Sequence, residues 1–473
     1  MRSLHPTVMA DRPGAPLSRR TVLAAAVAVP VAGVSVGAAL AEGDRTPRTG
    51  RTFHVSRAGS DTANGLSSTR AWRTVEQVNK ALADGTIGRG DRVLFRRGDT
   101  FYGTIDAIPP ASNAGRQLVF GAYGAGALPQ LSNYKVCNDP AGWSSYDAET
   151  WRIDLSANSG AYTGNTASDD VNAGFIRVSG KIRGGKRFEL GALAADWDFY
   201  SDNEQYLYVR HGENPALADS IRVAVNGNIV TAQSSVAVRD LELVGTGGHG
   251  FRSPGLNSDI TLSGCVIHEI GGSQLIYDGG PANTRYGNGV EIWIGASNVS
   301  VTGTEIYDAY DVGVTLQGTA TDTQRGWTDV HIDGCTIHNC TQSLEMWCAG
   351  TGTGSGYGFT DCSFADNDCR QAGYSWGAAV RPDKAGKSTH LLFYDTQLPC
   401  DGLSITGNTF YDAAHNYTYF AHTAPPAGMV VDNNDISLRT GTKLEYQRAE
   451  TIANAAAWTA ATGLDQHSTF TVI

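Results

Sequence analysis

The chain is short of charge, and shortest of positive charge. Only 18% of its 473 residues are charged, 36 basic against 47 acidic, for a formal net charge of −11. A duplex nucleic-acid binder needs a basic stripe, so that class is excluded. An anionic substrate is not excluded, because a local basic cleft or a bound cation overrides net charge. The eight cysteines contain no Cys-x-x-Cys spacing, which removes the usual zinc frameworks. There is no Gly-x-Ser-x-Gly elbow. The Gly-rich segments Gly245–Gly250 and Gly350–Gly358 do not open a helix after a strand, so a dinucleotide cradle is excluded too. What is abundant is glycine, 57 residues, and apolar material at 41%, ample for a sizeable core.

The first 41 residues read as an export signal. Ser18-Arg19-Arg20-Thr21-Val22-Leu23 is a twin-arginine pattern, an apolar run follows from Ala24 to Leu40, and Ala39-Leu40-Ala41 offers a cleavage site. Pro30, Gly33 and Gly37 argue against a membrane span, and no second span follows. Those 41 residues carry four arginines and one aspartate, which leaves 32 basic and 46 acidic residues and a net charge of −14. The expectation is a secreted protein exported by the twin-arginine route, with no membrane attachment after cleavage.

An irregular repeat organises residues 236–437. Leu262-Ser263-Gly264-Cys265-Val266-Ile267-His268-Glu269 matches segments centred on Thr304, Cys335, Cys362 and Asn408, with a shorter copy at Asn434. These anchors stand 39, 31, 27, 46 and 26 residues apart. Each unit reads as a short alternating strand, a tight polar turn, a second short strand and a loop. Units this short cannot bury an apolar face alone and must stack. Variable spacing suits a parallel β-helix, whose loops bulge freely. Cys265, Cys335 and Cys362 then read as small buried residues of a turn ladder; cysteine pairing is not readable.

A second register follows each anchor. Gly289-Val290-Glu291-Ile292-Trp293 aligns with Gly313-Val314-Thr315-Leu316-Gln317, with Ser343-Leu344-Glu345-Met346-Trp347, and with Gly373-Tyr374-Ser375-Trp376. The valine, isoleucine, leucine and methionine positions point inward. Glu291, Thr315 and Glu345 therefore form one outward column, and Trp293, Gln317 and Trp347 the next. Around this frame, residues 50–136 read as a capping segment and first coils, with a helix from Trp72 to Ala83 plugging the open end. Residues 137–230 lack the repeat and read as an inserted β subdomain. Residues 438–473 read as a tail packing outside the helix.

The segments Phe53–Gly65, Trp72-Arg73-Thr74 and Gly90–Phe101 resemble the opening of exported right-handed parallel β-helix proteins, the pectate-lyase-like superfamily of polysaccharide lyases and β-helix glycoside hydrolases. Asp196–Tyr200 and Leu207-Tyr208-Val209 of the insertion resemble members of the same group. The resemblance covers most of residues 50–437 and implies an all-β fold, a right-handed parallel β-helix, and a poly- or oligosaccharide substrate.

The leading expectation is glycosidic hydrolysis by Glu291 and Glu345. They stand two coils apart, so their backbones are about 9.6 Å apart at roughly 4.8 Å per coil. Carboxyls about 6.5–9.5 Å apart suit inverting hydrolysis, in which a water fits beside the sugar. Asp311, just before the middle coil, is a candidate third carboxylate. Trp293 and Trp347 offer platforms for sugar faces, with Gln317 between them. Arg381, Asp383, His390, Arg285 and Tyr286 are candidate substrate contacts. The alternative is a lyase drawing on Arg381, Lys384, His390 or Tyr286, with calcium held by Asp308, Asp311 and Glu291. A non-catalytic glycan-binding helix is the third reading. No cofactor is expected outside the lyase reading, and the chain is expected to be a monomer. His268 and His338 share a repeat position with Tyr307 and read as packing. His249, His415 and His422 have no readable role, and Asp278 reads as a turn.

Overall fold

Alternating strands with one apolar edge close on themselves here as coils. In this computed structural model the described residues are 50–473, except 110–114, 166–168, 277–282, 351–355, 382–385, 395–397 and 423. The twin-arginine segment, Asp278, Asp383 and Lys384 lie outside them. Three long parallel sheets, of ten, ten and nine strands, run side by side along the axis. Each coil contributes one strand to each sheet, which makes a right-handed parallel β-helix. Among the described residues no helix is long and apolar enough to cross a membrane.

Inward side chains stack by register. In the first sheet Val238, Leu262, Val301, Ile332, Phe364 and Ile405 are successive partners. In the second, Leu243, Ile267, Ile306, Ile337, Cys369 and Phe410 follow one another. Together they form one continuous buried core. Helix Val75–Ala83 closes the N-terminal end, burying Val75, Val78, Ala81 and Leu82, with Thr74 capping it.

The anchor ladder forms with one substitution. The Asn367 side chain accepts from the Cys335 N–H at 2.8 Å, Asn408 from the Asn367 N–H at 2.9 Å, and Asn434 from the Asn408 N–H at 3.0 Å. Asn367, not Cys362, is the fourth anchor. Cys362 pairs with Val330 inside the first sheet. All eight cysteines are buried, and none forms a disulfide. The outward histidines His268 and His338 stack on either face of Tyr307, with ring centroids 4.7 and 4.8 Å apart.

The fourth coil of the third sheet also differs from expectation. Its strand is Thr389–Tyr394, so Leu392 follows Glu345 and Tyr394 follows Trp347. A loop leaves the coil after Ala372, and Trp376 opens a short helix, Trp376–Ala379, within it. The inserted unit comprises two five-stranded sheets between Tyr134 and Val225 that share their own core. The tail does not pack outside. Lys443–Glu445 and Thr469–Val472 extend the third and second sheets, and Trp458, fully buried, stands against Tyr417 at the end of the core. An aromatic plug covers the last coil as the helix covers the first.

Candidate active site

The third sheet sets the outward column. Arg252, Glu291, Thr315 and Glu345 are consecutive register partners, and Trp293, Gln317 and Trp347 are the partners beside them. Pointing away from the coil interior does not expose them. Glu291 is 2% exposed, Thr315 0% and Glu345 7%. The face that the repeat makes outward is therefore enclosed.

Glu291 is the hub. Its Oε1 accepts from Arg252 Nε at 2.6 Å, and its Oε2 faces His249 Nε2 at 3.0 Å and accepts from Gln317 Nε2. Burial pushes this carboxyl up, but the hydrogen bond from His249 and the Arg252 guanidinium, by charge and hydrogen bond, pull it further down, to about 2. The site thus holds Glu291 as an anion and suits it poorly to donate a proton. His249 arrives on the Gly-rich segment before it. Gly245 takes φ +76, and a side chain there would run into the Tyr134 ring of the insertion. That close approach is the structural use of the glycines, and it brings His249 over the column.

A second ion pair joins Asp311 to Arg381, both buried. The Arg381 guanidinium lies 5.3 Å from the Tyr310 ring centroid, and Arg285 lies 4.5 Å from it. Arg285 is not placed as a substrate contact. It is 8% exposed and donates to the Gly272 and Gly174 carbonyls at 2.7 and 2.9 Å, which ties the insertion to the coil. His390 is not placed as one either. It is fully buried in the coil interior, 3.0 Å from Ser343 Oγ and against Phe410, and burial pushes its imidazole down to about 3. Trp293 packs partly against the core, so only part of its ring serves an outward surface.

Tyr286 packs edge-on to the His249 ring, with centroids 5.2 Å apart, and its hydroxyl donates to Asn226. It lines a cleft of about 500 Å³ with Asp169, Asp170, Asn172, Asn226 and Gln274. This cleft lies between the insertion and the coils, and amides and carboxylates dominate it. Asn226 Nδ2 donates to Asp170 at 2.6 Å.

The calcium set of the lyase reading is not assembled. Among the described residues, the one group of three close enough to hold an ion is Asp329, His331 and Asp361 on the first sheet. Glu291 and Asp311 are engaged with cations instead, and the Asp308 carboxyl is raised by burial and by Glu269.

Sequence reasoning missed His249 and Arg252. Arg252 sits on the coil before Glu291 at the same strand position, so the period of two contained the signal. That coil lacks the repeat's turn motif, which hid it.

The fold is a right-handed parallel β-helix. No protein-family model matches the sequence, and no curated protein matches it. Among solved structures, XylC in complex with xylose is similar in fold, with TM-score 0.50 and 11% identity, covering 83% of this chain and 69% of that one. A GH136 lacto-N-biosidase from Eubacterium ramulus matches with TM-score 0.41 and 12% identity over 89% of this chain and 68% of its own. The pectate lyase Pel9A matches with TM-score 0.34 and 12% identity over 84% and 78%.

Proposed function

We propose that the chain is a glycoside hydrolase acting on a poly- or oligosaccharide, with Glu345 as proton donor and Glu291, ionised in the resting enzyme, as the base. One observation carries this reading: Glu291 and Glu345 stand in one enclosed column, two strands apart, with Thr315 between them. Two carboxylates with different environments divide into an acid and an anion. Their spacing leaves room for the water of an inverting displacement. Glu345 protonates the leaving oxygen, and the Glu291 anion faces the positive charge that develops on the sugar and receives the proton of the attacking water. Trp347 and the outer part of Trp293 offer the sugar stacking surfaces. The complex of XylC with xylose, a structure similar in fold, supports a carbohydrate ligand.

A second reading, β-elimination on a uronate, draws on the convergence of Arg252 and His249 on the column. It is the weaker one. Arg252 and Arg381 are each matched by a carboxylate, and Asp169 and Asp170 add negative charge nearby. We also propose export by the twin-arginine route and action as a single chain.

The test is a panel of neutral and uronic polysaccharides, followed by new reducing ends and by ultraviolet absorbance of an unsaturated product. The expected result is reducing ends without absorbance, lost in Glu345→Gln and Glu291→Gln. Absorbance rising with reducing ends replaces the hydrolase by the lyase. Binding without cleavage leaves a glycan-binding helix.

A further inference from the structure

The column holds one polar group that the fold leaves without a partner. Thr315 is fully buried, and its hydroxyl makes no hydrogen bond. A buried hydroxyl without a partner is costly, and such groups are uncommon in native folds. A core facing position would be filled more cheaply by valine, which has the same shape. Thr315 is instead outward, between Glu291 on one neighbouring strand and Glu345 on the other. Its strand pairs directly with both neighbours, so the Glu291, Thr315 and Glu345 side chains stand side by side on one face at about 4.8 Å per strand.

The two carboxylates fix what can satisfy that hydroxyl. Glu291 Oε2 already takes His249 and Gln317, whereas Oε1 takes Arg252 alone. A carboxylate oxygen accepts two hydrogen bonds, so Oε1 keeps one position. A group bound there must donate to Glu291 and must also satisfy a hydroxyl that both gives and accepts. A water does both.

Resting on the hydrolase reading, we propose that Thr315 holds the water that attacks the glycosidic carbon. The water oxygen bonds to the anomeric carbon as the glycosidic bond breaks. The leaving oxygen takes the proton of Glu345, and the water's released proton passes to Glu291. Thr315 itself neither gains nor loses a proton overall; it fixes the oxygen lone pair toward the sugar.

Thr315→Val keeps the shape and removes the hydroxyl. On the glycan that the wild type cleaves, it is expected to lower kcat by at least about tenfold with KM within about twofold, since positioning acts on the reacting step and not on sugar binding. Thr315→Ser is expected to restore most of kcat. The unfolding midpoint of Thr315→Val should stay close to that of the wild type, because the side-chain shape is kept. Wild-type kcat in Thr315→Val overturns the proposal while leaving the hydrolase reading intact, provided Glu345→Gln is inactive. An unsaturated product from the wild type overturns both. A crystal structure gives an answer independent of activity: a water within about 2.6–3.2 Å of both Thr315 Oγ1 and Glu291 Oε1 is expected. A well-ordered column without it overturns the proposal.

Discussion

His249 Nε2 lies 3.0 Å from Glu291 Oε2, while its other ring nitrogen accepts from the Asn288 N–H at 3.1 Å. The second bond orients the ring, so Nε2 is the atom that meets the carboxylate. This links a backbone amide to the charge state of Glu291 through one side chain.

The link has a pH signature. In the unfolded chain Glu291 titrates near 4.5, and in the fold near 2. The unfolded chain therefore binds the proton first on acidification. The stabilisation is fully present above the unfolded value and is lost as pH falls from there through the folded value. Wild type and Glu291→Gln are expected to diverge in unfolding midpoint over that window, the wild type falling more steeply. Thermal unfolding at a series of acid pH values checks it, and parallel curves would refute it.

The pair Asp311–Arg381 is expected to behave as a buried ion pair does when broken. Arg381 and Arg285 both lie against the Tyr310 ring, and burial together with Arg381 lowers Arg285 to about 10. Asp311→Asn leaves two guanidiniums flanking one ring with a carboxylate removed. The expected cost is about 3–5 kcal/mol, and replacing both partners by apolar residues should cost less. Chemical denaturation of the single and double variants decides this. Equal losses would mean that packing around Tyr310, not charge, holds the corner.

Much of this was legible in the residues, for a physical reason. A parallel coil repeats its inward positions, so Val290, Val314 and Leu344 declare the column on which Glu291, Thr315 and Glu345 stand. The slip at Cys362 shows where that reasoning stops. Cys362-Ser363-Phe364 mimics Cys335-Thr336-Ile337, while the true turn reads Asp366-Asn367. Asp366 takes the same left-handed backbone, φ 54, that Gly334 takes at 63. Residue type alone did not reveal the equivalence. The fourth coil was misread because a loop interrupts it at the corner. Enclosure was not legible at all, because covering elements carry no period.

Trp458 is expected to hold the C-terminal end. It is fully buried, with Tyr417 and Phe470 at centroid distances of 6.0 and 6.4 Å. Trp458→Ala should cost about 3–5 kcal/mol. It also uncovers the last coil, whose strand edges then become available for pairing. Unfolding and light scattering read the two effects separately. Loss of stability without association would mean that Thr469–Val472 still covers the edge.

The asparagine ladder predicts unequal costs at equivalent positions. Asn408 accepts from the Asn367 N–H and Nδ2 at 2.9 and 3.0 Å, and donates to the Phe364 carbonyl at 2.9 Å. Asn408→Ala strands two buried donors and one buried acceptor. Each such group costs about 1–3 kcal/mol, so the total should reach at least about 3 kcal/mol. Cys335 occupies the equivalent turn two coils earlier, but its thiol offers only weak bonds to the Val301 and Asp333 carbonyls, at 3.5 and 3.7 Å. Cys335→Ala should therefore cost markedly less, although both residues are buried to the same degree. Denaturant midpoints at matched slope compare the two. Similar losses would mean that the turn is stabilised by filling space, and the polar ladder would then be incidental to the stacking of the coils.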